Sequence, residues 1–167
     1  MDRRTGRTMS NSMSNPFWDY SLATYRLDGV ATSCLALQDT CGLDVNLLLY
    51  AAWLATMDQR LSGEHAAGVE AAIVDWREQV VKPLRALRRQ LQDYPRAAGV
   101  MEEMKGLELR AEQQQQDTMF AFFQRAADLP RTPRPLQENL WQVAQFASPQ
   151  VARWELTLGR LVTLFPL

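Results

Sequence analysis

The chain has 167 residues, of which 47% are hydrophobic and 22% charged, and its formal net charge is −1. This length suits one domain, and the composition is that of a folded globular protein. The balanced charge argues against nucleic acid as a partner, because proteins that bind it usually carry a basic excess. Cys34, Cys41 and His65 do not make up a zinc-binding set, so we expect no metal and no cofactor.

The N-terminal segment is rich in Arg, Ser and Met, and it predicts a flexible tail at 1–14 before a single helical domain over 15–167. Met9 and Met13 are alternative starts, which would make the tail an artefact of start-site assignment. The tail has no apolar stretch of the kind that a secretory signal contains. The longest apolar run, Leu47 to Met57, is shorter than the roughly 20 residues that span a bilayer. We therefore expect a cytoplasmic protein without a membrane span.

Capping and breaking residues mark the first two helices. Asn15 followed by Pro16 is a favoured pair for the N-cap and first helical position, and it predicts a short aromatic helix over Phe17–Leu27. A second helix is predicted over Val30–Cys41. Gly42 follows it, and glycine is the residue that most often ends a helix.

The third helix is the most hydrophobic part of the chain. Asp44 is its predicted N-cap, and the helix is expected to run from Val45 to about Arg60. Its residues near 45–58 are apolar on nearly every face. A helix of this kind belongs at the centre of a bundle, where other helices cover all of its sides.

The longest apolar stripe predicts a fourth helix from Ser62 to about Tyr94. Its apolar residues recur every three or four positions and are Val69, Ile73, Trp76, Val80, Leu84, Leu87 and Leu91. Pro83 lies within the pattern. Because proline lacks a backbone N–H and clashes with the preceding turn, we expect a kink near Gln79 to Pro83.

The remaining chain predicts three further helices. A fifth, from Pro95 to about Ala127, forms an antiparallel pair with the fourth, and its polar run Gln113–Gln116 is expected to be solvated. A sixth is predicted over Leu136–Ala147, and Ser148 caps the last. The sequence thus predicts an all-α, compact single-domain bundle of about seven helices.

Three short sequence motifs resemble those of a proteobacterial family of proteins with a domain of unknown function. They are FWDYSLA at 17–23, LALQD at 35–39 and LDVNLLL at 43–49. The segment Trp76–Arg89 is also similar, and the resemblance covers about Asn15 to Leu91. The resemblance implies a small helical cytoplasmic protein and implies no activity.

A group of polar and aromatic residues is predicted near the turn that enters the central helix. The candidate pocket residues are Trp18, Asp19, Tyr20, Gln38, Asp39, Asp44 and Asn46. Convergent polar groups of this kind can orient a ligand in a pocket. A purely structural role is the simpler explanation, because Asp44 can cap the helix and Asp39 can accept a hydrogen bond from Trp or Tyr.

Catalytic and metal-dependent chemistry finds little support in the sequence. Asp39 and Asp44 are interrupted by Gly42 and lack the helical spacing with which paired carboxylates bind Mg²⁺ and a diphosphate. The cysteines have no base close in sequence. His65 has no ligand partner one turn away and is expected at the surface. We predict no catalytic residues.

The fourth helix also carries a basic face. Its members are Arg77, Lys82, Arg85, Arg88 and Arg89. These residues could contact phosphates, which would make binding strongly dependent on salt. Pairing with acidic residues of the fifth helix is the alternative that we favour.

Two classes of function follow. The leading hypothesis is a non-enzymatic adaptor or regulator that binds a protein partner, since no catalytic or metal-binding set is recognisable. The alternative is a helical bundle that binds a small lipid-like or isoprenoid-like ligand, or acts on it, through a polar pocket at Asp39, Asp44 and Asn46. An interior cavity of several hundred Å³ that reaches those residues would favour the second.

Overall fold

The structure is a computed structural model that describes residues 15–146 and 154–166. The predicted tail at 1–14 and the predicted cap at Ser148 lie outside these residues. The described residues form seven helices, counting the consecutive segments of the fourth helix as one, together with a short 3₁₀ turn at Pro95–Ala97, and they form no strand. The predicted all-α bundle is therefore confirmed. None of the described helices is long and apolar enough to cross a membrane.

The first two helices have the caps that the sequence predicts. Helix α1 spans Pro16–Tyr25 and ends slightly before its predicted boundary, whereas α2 spans Val30–Cys41 as predicted. Asn15 Oδ1 accepts a hydrogen bond from the backbone N–H of Phe17 at 3.0 Å, which satisfies a donor at the start of α1. Gly42 ends α2 with a φ of 70°, a conformation that glycine adopts without strain.

Helix α3, Val45–Ala55, is the central helix of the bundle. All residues from Asn46 to Ala55 are buried, which confirms the predicted position of this hydrophobic segment. Asp44 Oδ1 caps the helix by accepting a hydrogen bond from the backbone N–H of Leu47 at 3.0 Å. The helix ends earlier than predicted, because the chain turns away at Asp58, whose φ is 55°.

Helix α4 consists of three consecutive segments. An α-helical segment, Gly63–Trp76, leads into a π-helical turn, Arg77–Val81, and a second α-helical segment, Lys82–Leu91, follows. Pro83 stands just after the wide turn. The distortion expected at this proline therefore takes the form of a π-helical turn just before it, in which the backbone N–H of Lys82 donates to the carbonyl of Arg77.

Helix α5, Ala98–Arg125, forms a hairpin with α4. The indole N–H of Trp76 donates a hydrogen bond to the carbonyl of Ala111 at 2.9 Å. Further along α4, Arg88 pairs with Glu108, which comes earlier in α5. Later residues of α4 thus meet earlier residues of α5, and the predicted antiparallel pair is confirmed.

The last two helices cover the central helix and its neighbour. Helix α6, Leu136–Ala144, packs on α3, and α7, Trp154–Leu164, packs on α2. The fully buried Asn139 of α6 connects three parts of the chain. Its Nδ2 donates to the carbonyl of Ala51 at 3.1 Å, and its Oδ1 accepts from the backbone N–H of Leu61 at 2.7 Å.

The expectation that His65 lies at the surface is wrong. His65 is only 7% exposed, because its ring packs against the rings of Tyr50 in α3 and Phe122 in α5, and its Nε2 lies 2.7 Å from the Tyr50 hydroxyl. The apolar stripe of α4 does not stay buried along its length. Val81 is buried instead of Val80, and Leu87 is 45% exposed, because the π-helical turn changes which residues of α4 face the neighbouring helices.

Candidate functional site

A cleft of about 400 Å³ opens between the α4–α5 hairpin and helices α1, α2 and α3. Its walls are side chains from all five helices. The lining residues are Trp18, Ser21, Leu22, Tyr25, Leu35, Gln38, Val45, Asn46, Leu49, Arg85, Arg88, Arg89, Lys105, Glu108, Leu109, Glu112 and Gln116. The volume lies in the range of pockets that hold small organic molecules.

One wall of the cleft is apolar. Trp18 and Leu22 contribute to it from α1, and Leu49 contributes from the central helix. Leu35 and Leu109 also line the cleft and are 40% and 49% exposed. Apolar surface that is left open to solvent around a cleft favours the binding of an apolar group.

Three buried polar atoms in cleft-lining side chains have no hydrogen-bond partner among the described residues. They are Ser21 Oγ, Gln38 Nε2 and Gln116 Oε1. Ser21 and Gln116 are only 2% exposed. The amide of Gln116 is held in place, because its Nε2 donates to Asn46 Oδ1 at 2.8 Å. Buried polar atoms are normally paired, so these three atoms stand out among the side chains that line the cleft.

The opposite wall carries a cluster of ion pairs between α4 and α5. Arg85 donates from Nε to Glu108 Oε1 at 3.1 Å and from Nη2 to Glu112 Oε1 at 2.8 Å. Arg88 also donates to Glu108, at 3.3 Å from Nη2 and through a shorter contact from Nε. The two guanidinium groups therefore face two carboxylates, and the inner charges of the cleft are balanced.

The two carboxyl groups of this cluster titrate in opposite directions. Burial raises the pKa of Glu108, but hydrogen bonds from Arg88 and Arg85 outweigh it and leave that pKa below its ordinary value. Burial raises the pKa of Glu112, and the single guanidinium of Arg85 does not compensate. Glu112 is therefore the carboxyl group of the pair that takes up a proton first as the pH falls.

The rim of the cleft carries two further cations whose partners lie outside it. Arg89 pairs with Asp39 at 2.9 Å, and Lys105 pairs with Glu102 at 2.6 Å. All four side chains are about half exposed or more. Neither Asp39 nor Glu102 lines the cleft. The carboxylates that balance the rim cations therefore lie outside the cleft, in solvent-exposed ion pairs.

The structure places the predicted pocket residues in different surroundings. Trp18, Gln38 and Asn46 line the cleft. Asp19 is exposed and does not line the cleft, whereas Tyr20 packs partly against the hydrophobic core. Only part of the predicted set thus faces one cavity.

The acidic members of the predicted pocket are engaged elsewhere. Asp39 lies outside the cleft in its pair with Arg89. Asp44 caps α3, accepts a hydrogen bond from Gln115 Nε2 at 3.0 Å and lies 3.7 Å from Arg77. Among the described residues, no group of three His, Cys, Asp or Glu side chains is arranged to hold a metal ion.

The predicted basic face is divided in the same way. Arg85, Arg88 and Arg89 line the cleft, so the structure joins them with part of the predicted pocket. Arg77 and Lys82 do not line it. Arg77 pairs with Glu70 and Asp44, and the exposed Lys82 pairs with Glu78 at 2.7 Å.

The sequence correctly predicts that acidic residues of α5 pair with the basic face, but it does not predict that α5 forms a wall of the cleft. The run Gln113–Gln116 is expected to be solvated, yet Gln115 and Gln116 are buried, because they hydrogen-bond to polar groups at the start of α3. Glu108 and Glu112 also line the cleft. Their spacing of one helical turn places both carboxylates on the same face of α5, and this spacing could have indicated them.

Comparison with known families gives a match over most of the described chain. The model of a family described as "Protein of unknown function (DUF2390)" matches residues 16–119, which is more than half of the 167-residue chain. The match confirms the resemblance to a family with a domain of unknown function. All cleft-lining residues, from Trp18 to Gln116, lie within the matched range. No curated protein and no solved structure matches the chain.

Proposed function

The chain belongs to the DUF2390 family, whose description assigns no activity, and we propose from its cleft that the protein binds a small organic ligand. The observation that carries the proposal is the pairing of a cleft of about 400 Å³ with three unpartnered buried polar atoms in its walls. An apolar cavity with a few positioned polar groups is the usual form of a small-molecule site.

The surroundings of the polar atoms favour a ligand-binding site over an empty space left by the packing of the helices. Ser21 and Gln116 come from different helices, α1 and α5, and both line the same cavity. Leaving a buried polar atom unpaired costs about 1–3 kcal/mol, so a ligand that pairs with it recovers part of that energy. Leu22 and Leu49 offer apolar surface beside these atoms.

The test uses the neutral fluorescent probe N-phenyl-1-naphthylamine, whose emission rises in apolar sites, with the full-length protein. We expect saturable binding of one probe molecule. Leu22→Trp, which fills the cleft, should weaken binding roughly tenfold. This estimate takes about 55 Å² of lost apolar contact at about 25 cal/mol/Å², or about 1.4 kcal/mol.

The control places the same side chain outside the cleft. Ala23→Trp adds an indole to an exposed position of the same helix that does not line the cavity, and it should leave probe binding unchanged. Absence of saturable binding to the wild-type protein, or equal affinity of the Leu22→Trp variant, would refute the proposed site.

Binding of a protein partner, the leading hypothesis from the sequence, stays a prediction. The specific observation in its favour is exposed apolar surface on the α4–α5 hairpin. Leu87, Tyr94, Val100 and Leu107 are 45%, 65%, 54% and 41% exposed. A partner that stays bound to the protein through size-exclusion chromatography at moderate salt would support this second function.

A further inference from the structure

We propose that the ligand is an elongated amphipathic anion, with its charged head at Arg89 and Lys105 and a hydrogen-bonding group at the Ser21 and Gln116 end. The inference rests on the proposed function and specifies the chemistry of that same cleft. It follows from the distribution of charge along the cleft, the length of the cleft and the position of its unpartnered atoms.

The charge along the cleft is uneven. Four cations line it, namely Arg85, Arg88, Arg89 and Lys105, against the two carboxylates of the cluster on α5. The two inner arginines face these carboxylates directly. The other two cations are at the rim, and their carboxylate partners lie outside the cleft, so an anionic group of a ligand can contact them without displacing an inner ion pair.

The rim cations can exchange their partners at low cost. Arg89 and Lys105 are each 48% exposed in the side chain, and their partners Asp39 and Glu102 are 50% and 67% exposed. Such exposed ion pairs contribute little to stability and give way readily to another anion. A ligand carboxylate or phosphate that enters the cleft can therefore bind both cations, while Asp39 and Glu102 return to water.

The cleft is long enough to separate a head from a second polar group. Lys105 and Gln116 stand eleven residues apart on α5, which is about 16 Å along the helix axis. An extended chain on the order of ten carbons covers much of this distance. Apolar side chains such as Leu22 line the cleft, and so do Ser21 and Gln116, the side chains that carry the unpartnered atoms.

The test compares head groups on one chain length by their displacement of N-phenyl-1-naphthylamine. The competitors are decanoate, 10-hydroxydecanoate, the neutral 1-decanol and the cationic decylamine. We expect decanoate to bind about tenfold more tightly than 1-decanol, as a charge-assisted contact predicts, and decylamine to bind most weakly. The terminal hydroxyl of 10-hydroxydecanoate should tighten binding further, because it can reach Ser21 Oγ or Gln116 Oε1.

Two variants locate the head group. Arg89→Gln combined with Lys105→Gln should remove the preference for decanoate and leave the affinity for 1-decanol unchanged. Lys82→Gln is the matched control, since Lys82 is an exposed cation of α4 that does not line the cleft. It should retain the full preference.

The outcomes separate this inference from the proposed function. Decanoate and 1-decanol could bind equally well while Leu22→Trp still weakens binding of the probe. This result would refute the anionic head group of the ligand but would leave the proposed ligand site in place. Failure of every competitor to displace the probe would overturn the amphiphile as ligand class. If the protein sediments with phosphatidylglycerol vesicles and decanoate does not displace the probe, the anionic partner is a membrane surface and the free amphiphile is refuted. Failure of the probe itself to bind would remove both proposals.

Discussion

The ion-pair cluster beside the cleft gives a prediction that can be worked through from the structure. In Arg85→Met, the methionine keeps much of the apolar stem but removes the guanidinium that contacts Glu108 at 3.1 Å and Glu112 at 2.8 Å. The side chain of Arg85 is 17% exposed, so solvent screens these contacts only in part. Glu108 keeps Arg88 as a partner, whereas Glu112 loses the only cation that contacts it among the described residues.

The expected loss of stability is dominated by Glu112. A hydrogen bond between charged groups contributes about 1.5–3 kcal/mol, and one such contact goes unreplaced, so Arg85→Met should lower the free energy of unfolding by about 2 kcal/mol at pH 7.5. Arg110→Met is the control, since Arg110 is exposed on the same hairpin and forms no ion pair with a described residue. Its effect should stay within about 0.5 kcal/mol.

The pH dependence supplies a second test of the same reasoning. The pKa of Glu112 is already raised in the folded protein. The ionised carboxylate therefore opposes folding wherever the pH lies above the ordinary pKa of a glutamate. Loss of Arg85 raises this pKa further and enlarges the penalty at neutral pH. As the pH falls, Glu112 takes up a proton and the penalty disappears. Urea unfolding at pH 7.5 and pH 4.5 should therefore show a smaller difference between variant and wild type at the lower pH. An equal loss at both values would refute the assignment of the effect to Glu112.

Two further predictions concern the core. Burial lowers the pKa of His65, so its protonation opposes folding, and stability should fall as the pH drops below about 6.5. Because His65 is the sole histidine, His65→Gln should flatten urea-unfolding stability between about pH 5 and 7 relative to wild type, and an unchanged slope would contradict this origin. Asn139→Ala should lower the melting temperature in calorimetry by roughly 6–12 °C, since buried groups at Ala51 and Leu61 lose their partner at a cost of about 3 kcal/mol. A shift under roughly 2 °C would show that water replaces the amide.

The fold could be predicted well from local signals. Asn15, Asp44 and Ser62 each accept a hydrogen bond from a backbone N–H at the beginning of a helix, as their positions in the sequence indicate. The all-apolar third helix is at the centre, because only a position covered on every side suits such a surface. These features depend on neighbouring residues, and a single sequence therefore contains them.

The cleft could be predicted only in part, because it depends on contacts between distant segments. The polar turn before α3 and the basic face of α4 are separate candidates in the sequence, and only the hairpin brings Asn46 and Arg85 to one cavity. The burial of Gln116 could not be predicted from the sequence either. Its polarity predicts exposure, and the amide of Asn46 that compensates its burial lies far away in the chain. The unpartnered atom of Ser21 likewise depends on which helices surround it.

The π-helical turn of α4 decides which side chains the hairpin presents to the cleft. A regular α-helix advances about 100° per residue, and a wide turn that accommodates one extra residue shifts the phase of everything after it by about that angle. Leu84 and Leu87 continue the apolar stripe in sequence, yet Arg85 and Arg88, each one position later, face the cavity. If α4 were a regular α-helix throughout, Leu84 and Leu87 would take the places of Arg85 and Arg88 and would pack in this wall as part of the core. The π-helical turn next to Pro83 thus gives this wall of the cleft a surface that suits the recognition of charge instead of apolar packing.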